Sequence, residues 1–252
     1  MTTSYLDLRG RNHLHVLSDE NARFIAAARD AGWTAEVAAC PGWNVADLVF
    51  HMCKVQAMFH GMLTTGAASP KDLPRTERPT SDDGLVELFT AGAARLERLL
   101  EATADDSPAW TFIGTQPAAW VKRRMAHEIL VHRFDAEIAG GALSQTDEVV
   151  CADGIDEKFG VFLPWFGEKV TLANTVHLHC SDTDGEWMLG PGGGSVRVAR
   201  EHGKGDVAFN GPSQLLLLAL WRRISVDEAV DAGAKVFGDR AVLDAFVTAF
   251  GV

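Results

Sequence analysis

The stretch Ala126-His127-Glu128-Ile129-Leu130-Val131-His132 places a carboxylate and an imidazole four residues apart, within a segment that has the apolar spacing of a helix. Four residues of α-helix return a side chain to nearly the same face, about 6 Å further along the axis. His127 precedes His132 by one residue more than the zincin motif His-Glu-x-x-His allows, and lies about 140° around the helix from it. The spacing therefore pairs His132 with Glu128, and such a pair can hold one divalent metal ion.

A third candidate ligand, His51, belongs to a different apolar-periodic segment, residues 44–65. If the two helices pack face to face, His51, Glu128 and His132 form a ligand set with an open coordination position, which is typical of a catalytic metal. The residues alone leave two alternatives open, a surface pair of Glu128 with His132 and a core position for His51. Apolar residues such as Ile129 share the face of Glu128, and a core-facing carboxylate needs a compensating charge, which favours the metal.

Four amphipathic segments predict a helical bundle in the first part of the chain. Asn44 is a good N-cap with Asp47 three residues later, and Gly92 lies on an apolar stripe, where it would allow two helices to approach closely. The proline-rich stretch 66–79 is expected to be an exposed, mobile loop. The predicted helices cover residues 8–32, residues 44–65, a segment that starts after Ser81 and reaches Leu99, and residues 118–139 before Gly140-Gly141.

After Gly141 the pattern changes to the period-two alternation of half-buried strands. The sequence therefore predicts an α+β protein of two domains, a four-helix bundle over residues 1–145 and a small α+β domain over residues 150–252, with the boundary near 141–151. In the second domain, strands are expected at 175–180, 186–189, 195–200 and 206–209, and helices at 152–166, 212–223 and 239–250.

Composition and charge narrow the class of protein. Hydrophobic residues make up 47% and charged residues 23%, an ordinary globular mix. The net charge of −11 without a basic patch argues against nucleic-acid binding. The sequence contains no run of about 18 apolar residues, so no membrane span is predicted. The cysteines, Cys40, Cys53, Cys151 and Cys180, lack metal or disulfide spacing, so free thiols and a cytoplasmic location are expected. Five other histidines are expected at the surface or at strand edges: His13, His15, His177, His179 and His202.

Several motifs resemble one known family. Residues 40–51, Cys-Pro-Gly-Trp-Asn-Val-Ala-Asp-Leu-Val-Phe-His, resemble the Pro-Gly-Trp-x-x-x-Asp-Leu-x-x-His signature of the mycothiol-dependent maleylpyruvate isomerase family, a branch of the DinB-like metal-binding bundles. Residues 128–137 resemble its Glu-x-x-x-His-Arg-x-Asp-x-Glu segment. Residues that resemble the family's sterol-carrier-like α+β domain are Trp187, Gly211-Pro212, residues 215–218, Leu220-Trp221-Arg222-Arg223 and Phe237-Gly238-Asp239.

The resemblance implies a metal centre and a thiol cosubstrate. His51, Glu128 and His132 would bind Zn²⁺ or a similar divalent ion, and mycothiol, the low-molecular-weight thiol of actinobacteria, would be activated as a metal thiolate that adds to an electrophilic small molecule. Arg223 would act in catalysis by pairing with a substrate carboxylate, and would contribute to the cosubstrate site. Trp43 either lines that site or only packs at the helix start.

Three further expectations concern individual residues and the oligomeric state. The family more often has glycine where this chain has Arg222. Arg133 and Asp135 are either partners that orient the metal ligands or an ordinary surface pair. A monomer or a homodimer is expected.

Three functional classes stay open on the sequence. The first is a metal- and mycothiol-dependent enzyme, either a cis-trans isomerase of a maleylpyruvate-like acid or an S-transferase. The second is a hydrolase on the same bundle, with metal-bound water as its nucleophile. The third is a non-catalytic protein that binds a small ligand. Product analysis with and without a thiol distinguishes them.

Overall fold

The structure is a computed structural model and describes residues 8, 12–67, 69–166, 171–193 and 195–250. Residues 9–11 of the first predicted helix and residue 68 of the predicted loop lie outside the described residues. The described residues divide into two compact units, an N-terminal unit of residues 12–144 and a C-terminal unit of residues 145–250 that also includes Leu8. Among the described residues, no helix combines the length and the apolar character that a bilayer span requires.

Four long helices dominate the described part of the N-terminal unit: α1 (His13–Ala31), α2 (Val45–Thr65), α3 (Asp82–Ala102) and α4 (Ala118–Ala139). The principal packing pairs are α1 with α4 and α2 with α3. The helical bundle is therefore confirmed. A short hairpin between α3 and α4, formed by β1 (Pro108–Thr111) and β2 (Gly114–Pro117), was not predicted, because proline, glycine and polar residues in these segments obscure any strand pattern.

A tight turn and a capping box set the start of α2. The amide of Trp43 donates to the carbonyl of Cys40 at 2.9 Å, and Gly42 adopts the positive φ of 83° that the third residue of a type II turn requires. Asn44 Oδ1 then accepts from the amide of Asp47 at 2.9 Å, while Asp47 Oδ2 accepts from the amide of Asn44 at 3.1 Å. Both bonds satisfy helix-start amides that otherwise lack partners, so the predicted cap is confirmed.

Helices α2 and α3 approach closely at Gly92. A Cβ atom added to this glycine would lie 2.6 Å from Oε1 of the buried Gln56. The close approach predicted for this glycine is therefore confirmed. The described residues of the proline-rich stretch that follows α2 are mostly exposed, as expected, and Arg78 at its end pairs with Asp47 at 2.5 Å.

Among its described residues, the C-terminal unit contains α5 (Glu148–Phe166), β3 (Val176–Cys180), β4 (Glu186–Pro191), β5 (Val196–Ala199), β6 (Val207–Gly211), α6 (Ser213–Leu220), α7 (Val226–Asp231), β7 (Lys235–Gly238) and α8 (Arg240–Phe250). Its strands form a five-stranded sheet with the order β5-β4-β3-β6-β7. Only β3 and β6 pair in parallel; the other neighbours are antiparallel. The α+β class is confirmed, but two short elements, α7 and β7, were not predicted.

None of the four cysteines forms a disulfide, as the sequence predicted. Cys53 and Cys180 are buried, and burial raises the pKa of each thiol to about 12. Both thiols therefore remain protonated near neutral pH and behave as small apolar core groups.

Arg133 of α4 is fully buried in a charged network within the N-terminal unit. Its Nε donates to Glu20 Oε2 of α1 at 2.5 Å, and its Nη1 lies 2.6 Å from Glu137 Oε2. Arg23 pairs with the other oxygen of Glu20 at 2.7 Å. The interpretation of Arg133 as half of a surface pair is therefore wrong; it joins α1 to α4.

Helix α6 ends in a Schellman motif built around Arg222. The amide of Arg222 donates to the carbonyl of Ala219 and that of Arg223 to the carbonyl of Leu218, both at 2.9 Å. Arg222 has a φ of 57°, which makes it the one described non-glycine residue with a positive φ. A glycine avoids the Cβ clash of this conformation, which explains physically why glycine suits the position in the similar family.

We expect Arg133→Met to lower the free energy of unfolding by about 3 kcal/mol, because removing one partner leaves buried carboxylates without their counter-charge. The matched control is Arg23→Met, whose side chain is 35% exposed and which should cost about 1 kcal/mol or less. Urea unfolding followed by circular dichroism measures both. Equal losses in the two variants would contradict the structural role of Arg133.

We expect Arg222→Gly to raise the free energy of unfolding by about 1 kcal/mol, because it removes the left-handed strain at the end of α6. The urea midpoint should increase while the slope stays unchanged. Arg222→Ala is the control, since it shortens the side chain but keeps the Cβ atom. A stabilisation by alanine as large as that by glycine would refute the explanation.

Candidate metal centre

Two helices of the N-terminal unit bring the predicted ligands together. Nε2 of His51, from α2, lies 3.4 Å from Glu128 Oε1, and Nε2 of His132, one turn along α4, lies 3.5 Å from the same oxygen. The two imidazole rings are 5.0 Å apart between centroids and nearly perpendicular. One ligand atom from each side chain lies within 4.8 Å of the others, a separation that a single metal ion can bridge.

The three side chains are mostly buried but remain partly exposed to solvent. The side chains of His51, Glu128 and His132 are 26%, 22% and 12% exposed. The neighbours of Glu128 on its face, Met125 and Ile129, are buried. The carboxylate thus stands at the margin of the core, where a small molecule from solvent can still reach it.

Arg124 compensates the charge of Glu128 from one turn earlier on α4. Its Nη2 donates to Glu128 Oε2 at 2.7 Å, which leaves Oε1 to face the two imidazoles. Burial alone would raise the pKa of Glu128, but the Arg124 guanidinium and the hydrogen bonds with His132 and His51 hold it well below its usual range. Glu128 is therefore an ionised carboxylate at neutral pH.

Asp135 orients His132. The buried Asp135 carboxylate accepts a hydrogen bond from Nδ1 of His132 at 2.9 Å, so the other ring nitrogen, Nε2, faces Glu128 and His51. Burial lowers the pKa of His132, but Asp135 and Glu128 outweigh it and raise that pKa to about 9. A cation that binds Nε2 must therefore displace a proton, so binding to this centre depends on pH.

Trp43 lies against His51. The two ring centroids are 5.1 Å apart, and the planes are tilted by 47°. The type II turn before α2 positions the indole, and the indole restricts the imidazole. The observed contact is packing at the helix start, directly on a candidate ligand, and a role of Trp43 toward a cosubstrate stays a prediction.

The donor set fits a divalent metal. Two imidazole nitrogens and one carboxylate oxygen are ligands that Zn²⁺ accepts, and three protein ligands leave a fourth position for water or substrate. The centre also has the outer contacts that metal sites use, Asp135 on one histidine and Arg124 on the carboxylate. The sequence spacing could have predicted both contacts. Arg124 lies four residues before Glu128 and Asp135 three after His132, so each faces its partner on the helix.

Arg223, the predicted substrate ligand, lies in the C-terminal unit directly after α6. Its Nη1 donates to the carbonyl of Trp221 at 2.8 Å, and it lines a cleft of that unit together with Arg222 and Arg240. Arg240 pairs with Asp227 at 2.8 Å in the same cleft. The role of Arg223 in catalysis stays a prediction.

One expectation about the histidines is wrong. Of the histidines expected at the surface or at strand edges, His202 is exposed, as expected, but His177 is buried, and both converge with His179 on Glu186. The overlooked signal is the His-x-His spacing on a strand, because side chains two residues apart point to the same face of a sheet.

Comparison with known proteins agrees with this architecture. Residues 14–137 match the family model described as the mycothiol maleylpyruvate isomerase N-terminal domain, and residues 150–245 match the MDMPI C-terminal domain. A crystal structure of the mycothiol-dependent maleylpyruvate isomerase is similar with a TM-score of 0.60 at 16% identity, covering 84% of this chain and 89% of that one. A histidine-to-alanine mutant of that isomerase gives the same TM-score and identity, with coverages of 89% and 91%.

A comparison with curated protein sequences finds no match. At 16% identity, the structural likeness concerns the fold, whereas the two family models concern the sequence and together span most of the chain. The fold and both sequence matches agree with the motifs around His51 and Glu128. The chain therefore belongs to the mycothiol maleylpyruvate isomerase family.

Proposed function

We propose that this protein is a mycothiol-dependent cis-trans isomerase of a small enoyl acid such as maleylpyruvate, with a divalent ion, Zn²⁺ or similar, held by His51, Glu128 and His132. The observation that carries the proposal is the convergence of these three side chains from α2 and α4 in a chain of this family. When bound, the ion would stabilise the thiolate form of a thiol, which is the nucleophilic form.

The chain's own residues prepare the centre before any thiol arrives. Arg124 keeps Glu128 ionised, and Asp135 directs Nε2 of His132 toward the shared point. Trp43 restricts the ring of His51. Because these contacts exist within the N-terminal unit itself, the ligands lose little further conformational freedom when an ion binds.

The reaction that suits a thiol nucleophile is reversible addition. The sulfur adds to one carbon of the cis double bond and a proton to the other, which leaves a single bond that rotates. Loss of the same proton and sulfur then releases the trans isomer and regenerates the thiol. An S-transferase would share the addition step, but its product would retain the sulfur.

Arg223 is the residue we assign to the substrate carboxylate. A guanidinium binds a carboxylate through two parallel hydrogen bonds, which fixes orientation as well as position. The Schellman motif at the end of α6 fixes the backbone at Arg223. The function proposed for this residue rests on the family motif and on the chemistry of its side chain.

His51→Ala and His132→Ala should each lose one equivalent of bound divalent metal relative to the unchanged protein, because two remaining ligands hold an ion weakly. Elemental analysis after dialysis against Zn²⁺ measures the difference. His60→Ala, which removes another histidine from α2, is the matched control and should retain the metal. Metal content that is the same in all four proteins would remove His51 and His132 from the ligand set.

Conversion of maleylpyruvate to its trans isomer should require mycothiol. Arg223→Met should lower kcat/KM by about 10–100-fold, which corresponds to the loss of a charged hydrogen bond. Arg240→Met is the control, because Asp227 and Asp244 pair with that arginine in the same cleft.

Product analysis separates the proposed isomerase from the other classes. Turnover without any thiol would favour a hydrolase, a product that retains sulfur would favour an S-transferase, and an unchanged substrate would favour a binding protein. Each of these results would overturn the isomerase assignment.

A further inference from the structure

Four side chains of the C-terminal unit converge at one end of the β3–β4 pair. His177 and His179 are two residues apart on β3 and therefore share a face of the sheet. Glu186, the first residue of β4, is the direct antiparallel partner of His179. His202 comes from the segment between β5 and β6. We call these residues the sheet cluster.

The three imidazoles meet at a single carboxylate oxygen. Nε2 of His177, Nδ1 of His179 and Nδ1 of His202 lie 2.7, 3.0 and 2.6 Å from Oε1 of Glu186. One ligand atom from each of the four residues lies within 4.8 Å of the other three. The ring of His177 is nearly perpendicular to both other rings, at 83° and 89°, so the nitrogens approach from different directions.

Hydrogen bonds from neutral imidazoles alone explain this arrangement poorly. A neutral imidazole donates from only one nitrogen, so all three rings would need the tautomer that points its hydrogen at the same oxygen. A cation at this point instead accepts the three nitrogen lone pairs, while Glu186 contributes its negative charge. Bonds of about 2.0–2.1 Å in a tetrahedral shell place the ligand atoms about 3.3 Å apart, so the nitrogen–oxygen distances of 2.6–3.0 Å need to lengthen by less than about 1 Å.

The backbone around the sheet cluster is held in place. Antiparallel pairing of β3 with β4 fixes three of the four residues. The segment that carries His202 is anchored at both ends: Arg200 binds Asp156 through two nitrogens, and the amide of Asp206 donates to the carbonyl of Thr175 at 3.0 Å. All four side chains therefore face one another without being brought together by a ligand.

Exposure increases across the sheet cluster from His177 to His202. The side chains of His177, Glu186, His179 and His202 are 9%, 25%, 40% and 79% exposed. The buried member provides a fixed ligand, and the exposed His202 can move aside to admit an ion from solvent. The mixture of one anchored and one accessible ligand is compatible with reversible binding.

We propose that the sheet cluster is a second divalent-metal site, separate from the centre on α2 and α4, and that its ion is Zn²⁺. Three imidazoles and one carboxylate favour Zn²⁺ over Mg²⁺ or Ca²⁺, which prefer oxygen ligands. Four protein ligands complete a tetrahedral shell, as in structural zinc sites. The ion would join β3 and β4 to the segment that leads into β6 and would stabilise the sheet.

The test uses the full-length His51→Ala/His132→Ala protein, in which the α2–α4 centre is disabled. Equilibrium dialysis against Zn²⁺ followed by elemental analysis should find one zinc ion per chain. Adding His179→Ala and His202→Ala should abolish that equivalent, whereas adding His15→Ala, which removes an exposed histidine outside both clusters, should not. Absence of stoichiometric zinc, or zinc that survives the loss of His179 and His202, would overturn the proposal.

A stability measurement gives a second readout. Because Zn²⁺ would bind only the folded sheet, it should raise the melting temperature of the His51→Ala/His132→Ala protein, and the gain should vanish in the variant that also lacks His179 and His202. If the His51→Ala/His132→Ala protein fails to fold, the His179→Ala/His202→Ala substitutions are made in the otherwise unchanged chain. That variant should bind one zinc equivalent less than the unchanged protein. No shift in either measurement would count against the site. Neither readout involves mycothiol or turnover, so this proposal and the proposed isomerase function can fail independently.

Discussion

The N-terminal unit depends on neutralising the negative charge of one carboxylate, that of Glu128, at the margin of its core. Glu128 stands on the inward side of α4 among buried apolar neighbours, and an ion in such a position is stable only with opposite charge or hydrogen bonds nearby. Arg124 provides the charge on one oxygen, and two imidazoles face the other. The contact between α2 and α4 thus has an electrostatic as well as an apolar component, and the same side chains that satisfy Glu128 form the candidate metal centre.

The α2–α4 centre and the sheet cluster each arise from the periodicity of the element that carries them. On α4, a spacing of four places Glu128 and His132 on one face, and a second helix adds His51. On β3, a spacing of two places His177 and His179 on one face, and the neighbouring strand adds Glu186 in register. The first cluster offers three candidate ligands and the second four, which is why we propose different roles for them, reactive and structural.

The parts of the structure that were predictable are those marked by residues within the same short segment. The capping box at Asn44 and the glycines after α4 mark helix ends because they act on backbone groups of their own segment. The β1–β2 hairpin and β7 were missed because their strands show no clear alternation of apolar and polar residues, and α7 because six residues span fewer than two helical turns. Arg133 was misjudged because its partner Glu20 lies more than a hundred residues away in the sequence, and no spacing rule relates the two.

The sequence by itself determined the helices of the bundle, the α+β character of the second half and the pairing of Glu128 with His132, because each depends on periodicity or on capping within a short segment. Tertiary structure decided that His51 faces that pair, that Arg133 is buried in an ion network, and that His202 joins two histidines of β3 at Glu186. These contacts depend on how distant segments pack, and packing selects partners by shape and charge across space, which local spacing does not encode.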